Sequence, residues 1–334
     1  MTSRRTLLAA GVAALAAACS PREKAAPAAA GRTAIRFATD WRAQAEQGGF
    51  YQALATGEYE KRGLDVSLIQ GGPSVNVPQL LAAGAIEMGM GSNSFIPMKM
   101  AAEGVPVRAV AAFFQKDPQV LIAHPDAGVN TLADIKGHPV LLADASITAF
   151  WVWLKARYGF TDAQVRKYNY SLAPFLADRN VIVQGYLSSE PYTIEKEAGF
   201  KPKVFLLADD GYPGYATMAL APDSLIAANP AAVRAFVEAS AAGWASYLHG
   251  DPAKADALIL KDNPEMTPAL LAHAREMMRQ YGIVESGDAA GGHIGVMTDA
   301  RWAEFFRVAS GQGVFPKDLD YRKAFTLDFV TPAT

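Results

Sequence analysis

From Thr33 onward, short apolar runs alternate with longer amphipathic segments, and this alternation restricts the fold more than any other feature of the chain. "TAIRFAT", "LDVSLIQ", "AIEMGMG" and "PVRAVAAFF" read as strands, while "GGFYQALATGEYEKRG", "VNVPQLLAAG" and "SFIPMKMAAEG" read as the helices between them. Connections of that length suit crossovers rather than hairpins, so a parallel, doubly wound sheet is expected. Gly63, Gly84 and Gly104 stand where three of these helices should close. A smaller unit repeats the pattern: "QVLIAHP", "TLADIKGHPVLLAD", a Trp-rich helix from about Ile147 to Tyr158, "NVIVQGYL" and "KVFLLAD". Beyond "YATMALA" the chain reads as helical, with Asn229-Pro230, Asp251-Pro252 and Thr267-Pro268 opening helices and Thr298 or Asp299 capping "ARWAEFFRVA". A small α/β unit set between a larger one and a helical tail implies two lobes connected twice, with a cleft between them.

The 334 residues are 51% hydrophobic and 19% charged, enough apolar material for two cores. A formal charge of −2 with His neutral offers no basic field, which argues against nucleic acid as a partner. Arg4-Arg5, the apolar run Leu7 to Ala18 and then Cys19 read as an export signal over residues 1–18, too short to span a bilayer as a stable helix. The arginine pair fits both a twin-arginine and an ordinary Sec signal. "LAAAC" resembles a bacterial lipobox, although Ala16 stands where Leu is usual; lipid on Cys19 would then anchor a tether over residues 19–32. Cys19 is the sole cysteine, so no internal disulfide is available. The plainer reading is an incidental cysteine in a signal cut after "AAA".

The mature sequence resembles a known family in the order and spacing of five stretches: "DWRAQAEQGGFYQALATGEYEKRGLDV", "GGPSVNVPQLLAAGAIEMGMG", "NTLADIKGHPV", "SSEPY" and "DDGYPGY". They are similar to the substrate-binding proteins of ABC importers, in the branch that groups alkanesulfonate, nitrate and thiamine-pyrimidine binders with the thiamine-pyrimidine synthases. The likeness covers about Ile35 to Asp320. It implies an α/β, type II periplasmic binding-protein fold: two doubly wound lobes joined by two crossovers, with a helical C-terminal part. By that analogy lobe 1 comprises residues 33–122 plus 217–334 and lobe 2 residues 123–216, with crossovers near "QVLIAH" and "YATMALA". The resemblance further implies a monomer without cofactor, which carries a small-molecule ligand in the periplasm to an ABC permease of the inner membrane.

Ligands of open α/β sheets sit beyond the carboxyl ends of the strands. The stretch after the first strand therefore supplies Asp40, Trp41, Gln44, Gln47, Phe50 and Tyr51 as candidates: flat faces, amides and a carboxylate, with Gly48-Gly49 permitting close backbone approach. Phe50 and Tyr51 open a helix and serve equally well as core. Ser92 and Asn93 follow the third strand and either cap a helix or touch ligand. Gln115 lies near the first crossover. Ser146, Thr148 and Trp151 open the helix of the second unit. Glu190 in "SSEPY" and Tyr212 and Tyr215 in "DDGYPGY" complete the set. A carboxylate among aromatic groups suits a ligand with amino or ring N–H donors. No arginine cluster accompanies these loops, only Arg42, so a neutral or weakly cationic heterocycle of the aminopyrimidine or flavin-like kind fits better than a sulfonate or nitrate.

Catalysis finds little support. The chain has no G-x-S-x-G, H-E-x-x-H or Walker A motif, and its five His lack metal-ligand spacing. A thiamine-pyrimidine synthase of the same family would carry a Cys-rich iron motif and a Lys and His near the first strand-helix turn. "WRAQAEQGGFY" has neither Lys nor His. An exported sensor built on the same fold remains a third reading.

Overall fold

The computed structural model describes residues 31–330; the export signal, Cys19 and nearly all of the tether lie outside the described residues. Ten strands form two five-stranded sheets. The first sheet contains β1 (Thr33–Ala38), β2 (Leu64–Ile69), β3 (Met88–Asn93), β4 (Val107–Phe114) and β10 (Ala216–Pro222), in the order β2-β1-β3-β10-β4. The second contains β5 (Gln119–Ala123), β6 (Val140–Leu142), β7 (Val165–Lys167), β8 (Ile182–Tyr186) and β9 (Lys203–Leu206), in the order β7-β6-β8-β5-β9. The helix-linked strands pair in parallel, as their spacing requires: β1 with β2 and β3, and β6 with β7 and β8.

Two strands depart from the all-parallel expectation. β10 inserts antiparallel between β3 and β4, and β5 lies antiparallel to β8 and β9. Both are the first strands after the chain changes sheet, and each enters its sheet from the side of the crossover. β5, expected at the end of lobe 1, accordingly belongs to the second sheet. Among the described residues the chain passes between the sheets twice, through residues 115–118 and 207–215.

Most sequence signals for helix ends hold, but at Asp251-Pro252 the helix opens only at Ala253, with Pro252 as its N-cap and Asp251 Oδ1 accepting the Ala253 N–H at 3.0 Å. Gly63, Gly84 and Gly104 all adopt positive φ, between 62° and 75°, the conformation that closes a helix without a Cβ penalty. Asn229, Thr267 and Thr298 each accept a backbone N–H three residues on. The helix Pro230–His249 then packs across the first sheet, burying Phe236 against Phe37 and Trp244 against Phe50 and Phe114, with Tyr247 over Gly48. Each such ring removed from water contributes about 2 kcal/mol or more to this core.

Candidate ligand-binding cleft

The end of β1 delivers Asp40 and Trp41, and a short 3₁₀ turn, Ala45–Gln47, delivers Glu46. Gln44 and Gln47 build that turn: the Gln47 side-chain oxygen accepts the Gln44 N–H at 3.1 Å, and Gln47 is buried. They position the site rather than line it. From the end of β3, the Ser92 hydroxyl donates to Asp40 Oδ2. Asp40 Oδ1 is buried and makes no well-formed hydrogen bond, with only the backbone N–H groups of Asp40 and Trp41 lying against the carboxylate, an arrangement that costs free energy unless something meets it.

The second sheet faces this from across the cleft. Ser188, just past β8, donates its hydroxyl to Glu46 Oε1, and Trp41 meets Tyr170 with ring centroids 5.1 Å apart and planes tilted by 43°. Tyr170 is 54% exposed and holds φ at 60°, a region that non-glycine residues with bulky side chains rarely adopt. Tyr168, two residues earlier, lies 5.4 Å from the Tyr170 ring. Glu190 opens the helix Glu190–Ala198, where its Oε2 accepts the Tyr186 N–H at 2.7 Å and the Ser189 hydroxyl at 2.6 Å.

Three carboxylates thus converge on one space. Glu46 is only 4% exposed. Burial pushes its carboxyl above the usual range, the Ser188 hydrogen bond opposes that shift, and the like charges of Glu190 and Asp40 add to it. Asp40 is likewise raised, chiefly by burial and against the Ser92 hydrogen bond. The charged neighbours acting on Glu46 are both acidic. Such a space favours a group that brings N–H donors or positive charge.

Several residues expected in the site are held elsewhere. Phe50 is fully buried in the core of the first sheet, edge-on to Phe113 at 5.3 Å, and Tyr51 is buried with its hydroxyl donating to Asp262 Oδ2 at 2.8 Å. Gly48-Gly49 do permit close approach, but to Tyr247 and Trp244 of the packed helix rather than to a ligand. Asn93 spends its side-chain oxygen on the Phe95 N–H at 3.1 Å, a cap for the helix Phe95–Ala102. Gln115 is buried and donates to the carbonyls of Ala112 and Val296. Trp151 is buried in the second core, its indole N–H bonded to Asp162 Oδ1 at 3.0 Å. Tyr212 packs edge-on to Trp153 at 5.4 Å, and the Tyr215 hydroxyl donates to Asp288 while accepting the Thr298 N–H. In each case an aromatic or amide group near a strand end is more cheaply satisfied inside a core than at the cleft. The expected helix from Ile147 is split into Asp144–Ile147 and Phe150–Tyr158, leaving Ser146 buried and Thr148 exposed with its hydroxyl on the Ala145 carbonyl.

Glu46, Tyr168, Tyr170 and Ser188 were not among the expected contacts. Glu46 stands in "RAQAEQGG" as the single acid among small residues destined for burial, which was the available signal. For Tyr170 only the cross-cleft geometry identifies it.

Two α/β sheets joined by two crossovers, with convergent polar groups at the carboxyl ends of their strands, define the type II periplasmic binding-protein fold. The chain belongs to the NMT1/THI5-like family, whose description matches residues 44–255. Among characterised relatives it is 27% identical over 245 residues to the riboflavin-binding protein RibY of Chloroflexus aurantiacus, a match covering 68% of this chain and 66% of that protein, just under two thirds of its length. Among solved structures, the periplasmic aliphatic sulphonate-binding protein SsuA of Escherichia coli superposes with a TM-score of 0.65 at 17% identity, covering 88% of this chain and 92% of SsuA. The periplasmic nitrate-binding protein NrtA of Synechocystis gives 0.62 at 13% identity, covering 89% and 87%. At these identities the two structures establish the fold alone.

Proposed function

We propose that the protein is the solute-binding component of an ABC-type importer, which holds a small heterocycle between its two sheets and hands it to a membrane permease. The observation that carries the ligand class is the buried Asp40 Oδ1, without a well-formed hydrogen bond, beside Glu46 and Glu190, a site that rewards amino or ring N–H donors and penalises anions. Trp41 and Tyr170, whose rings touch each other with centroids 5.1 Å apart, supply an aromatic wall beside that space. An aminopyrimidine or a flavin-like ring offers both features, and the similarity to a riboflavin-binding protein points the same way. In this reading the ligand leaves as it entered, and the protein acts as a binder rather than an enzyme. Export through the N-terminal signal, a periplasmic site of action, lipid on Cys19, a monomeric state and two lobes that part at the crossovers 115–118 and 207–215 belong to the same proposal.

Thermal shift of the purified chain tests it, with riboflavin, the aminopyrimidine precursor of thiamine, taurine and nitrate each in large excess. At a hundredfold over its dissociation constant a ligand adds about 2.7 kcal/mol of stability, so a rise in melting temperature with the heterocycles alone is the expected result. A rise with taurine or nitrate alone refutes the acidic-cleft reading. Affinity for riboflavin, whose ring keeps its N–H through the neutral range, should increase as pH rises above the usual carboxylate range, because Asp40 and Glu46 hold their protons above that range and must release them to accept from a donor-rich ring. Trp41→Ala should weaken heterocycle binding roughly tenfold, about 1.4 kcal/mol, while leaving the melting temperature of the free protein nearly unchanged. Unaltered affinity measured by calorimetry would remove Trp41 from the site.

A further inference from the structure

Arg301, on the helix Asp299–Gly311, reaches both segments that join the two sheets. Its Nε donates to the Pro213 carbonyl at 3.0 Å and its Nη2 to the Gly214 carbonyl at 3.1 Å, both in the return crossover. The same Nη2 donates to the Gln115 carbonyl, and Nη1 reaches the Gln115 side-chain oxygen at 3.4 Å, both in the outgoing crossover. The guanidinium lies over the Tyr215 ring, 4.1 Å from its centroid, and 3.7 Å from Asp288 Oδ2. Beside it, Lys116 of the outgoing crossover bonds Asp209 of the return crossover at 2.7 Å. The N–H groups of Gln115 and Lys116 both donate to the Ile283 carbonyl, so the C-terminal part holds the outgoing crossover along its backbone as well.

We infer that Arg301 is a positioning residue that sets the balance between open and closed lobes by clamping the two crossovers together. A planar guanidinium can satisfy carbonyls of both segments at once only while they lie side by side. That is the arrangement in which Ser188 meets Glu46 and Trp41 meets Tyr170. Rotation of one sheet against the other turns through residues 115–118 and 207–215, and the fork, which ties Gln115 to Pro213 and Gly214 just beyond the β4–β10 ladder, opposes their twisting apart at that end. Hinges of this kind absorb domain motion in a few terminal residues, and the bonds made in only one state bias the equilibrium. Gln115 and Tyr215, which sequence placed in the ligand site, belong to this joint instead. The inference concerns the joint and does not depend on which ligand the cleft takes.

The test is the distance distribution between spin labels on the two lobes, measured by double electron–electron resonance without ligand. Full-length chain carrying Cys19→Ser has no other thiol. Lys99→Cys and Lys167→Cys, whose native side chains are 71% and 67% exposed, then carry the labels. Arg301→Lys keeps the charge but loses the fork, and it should raise the ratio of long to short distances by about tenfold. Asp288→Asn keeps an acceptor for the Tyr215 hydroxyl and leaves the Arg301 bonds to the Gln115, Pro213 and Gly214 carbonyls in place, and should not change that ratio. If Arg301→Lys does not fold, Arg301→Gln, which removes both the fork and its charge, addresses the same question. An unchanged distribution in a folded Arg301 variant, or an equal shift in Asp288→Asn, overturns the inference, whatever happens to the melting temperature.

Discussion

Gly243→Ala is expected to lower the unfolding free energy by about 3 kcal/mol. Gly243 lies in the helix Pro230–His249 where that helix crosses Gly48–Ala55, and a Cβ there would sit 2.2 Å from the Gly49 carbonyl oxygen and 2.7 Å from the Ala53 Cβ. A backbone oxygen has no rotamer to retreat into, so the two helices must separate. Separation would draw Trp244 away from Phe50 and Phe114, whose rings lie 6.1 and 5.1 Å from it, and dense cores do not refill such gaps. Guanidinium unfolding should show a lower midpoint with the slope unchanged. Gly311→Ala is the matched comparison: nothing lies within 4 Å of a Cβ at that helical position, and a small gain is expected from helix propensity. A loss below about 1 kcal/mol for Gly243→Ala would mean that the helix contact has slack the structure does not show.

Asp117→Asn should stabilise the protein at pH 8 and change little at pH 4. Asp117 sits in the outgoing crossover, 4% exposed, with its Oδ1 accepting the Gln119 N–H at 3.1 Å. Burial pushes its carboxyl up to about 7, against that hydrogen bond and the Arg301 charge. Between its ordinary value near 4 and 7, the folded protein therefore holds a proton that the unfolded chain has released. Stability contributed at this site falls as pH rises through that window and is lowest above it. Three units correspond to a ceiling of about 4 kcal/mol, and relaxation of the surroundings brings the expected gain to about 2 kcal/mol at pH 8. Asn keeps the acceptor for Gln119 and cannot ionise. Unfolding midpoints of both proteins from pH 4 to 8 should diverge steadily; parallel curves would show that Asp117 titrates normally.

Much of the architecture was legible because it follows from local rules. Strand-helix alternation required crossovers, glycines at 63, 84 and 104 closed helices, and Asn229, Thr267 and Thr298 opened them, each through backbone groups within a few residues. The antiparallel placement of β5 and β10 was not legible, since a strand carries no mark of the direction in which it will be approached after a crossover.

The candidate site divided along the same line. Asp40, Trp41, Ser92 and Glu190 were expected at strand ends and lie there, Ser92 on Asp40, Trp41 against Tyr170 and Glu190 on the Tyr186 N–H, because those positions are fixed by where each strand stops. Phe50, Tyr51, Trp151 and Tyr212 have the same residue types at similar offsets and are buried in cores. A ring on a strand-end helix faces cleft or core according to the rotation of that helix, which packing against distant segments such as Pro230–His249 decides.

The sequence by itself therefore determined the layered α/β class, the two-unit organisation and the chemistry gathered at the strand ends, all of which rest on periodicity and short-range hydrogen bonding. Only the tertiary structure decided that Glu46 would face Glu190 and Ser188, that Tyr170 would meet Trp41, and that Arg301 would join two crossovers lying 186 and 87 residues away along the chain. Those pairings are set by how two separately formed sheets come together, and no local pattern encodes that.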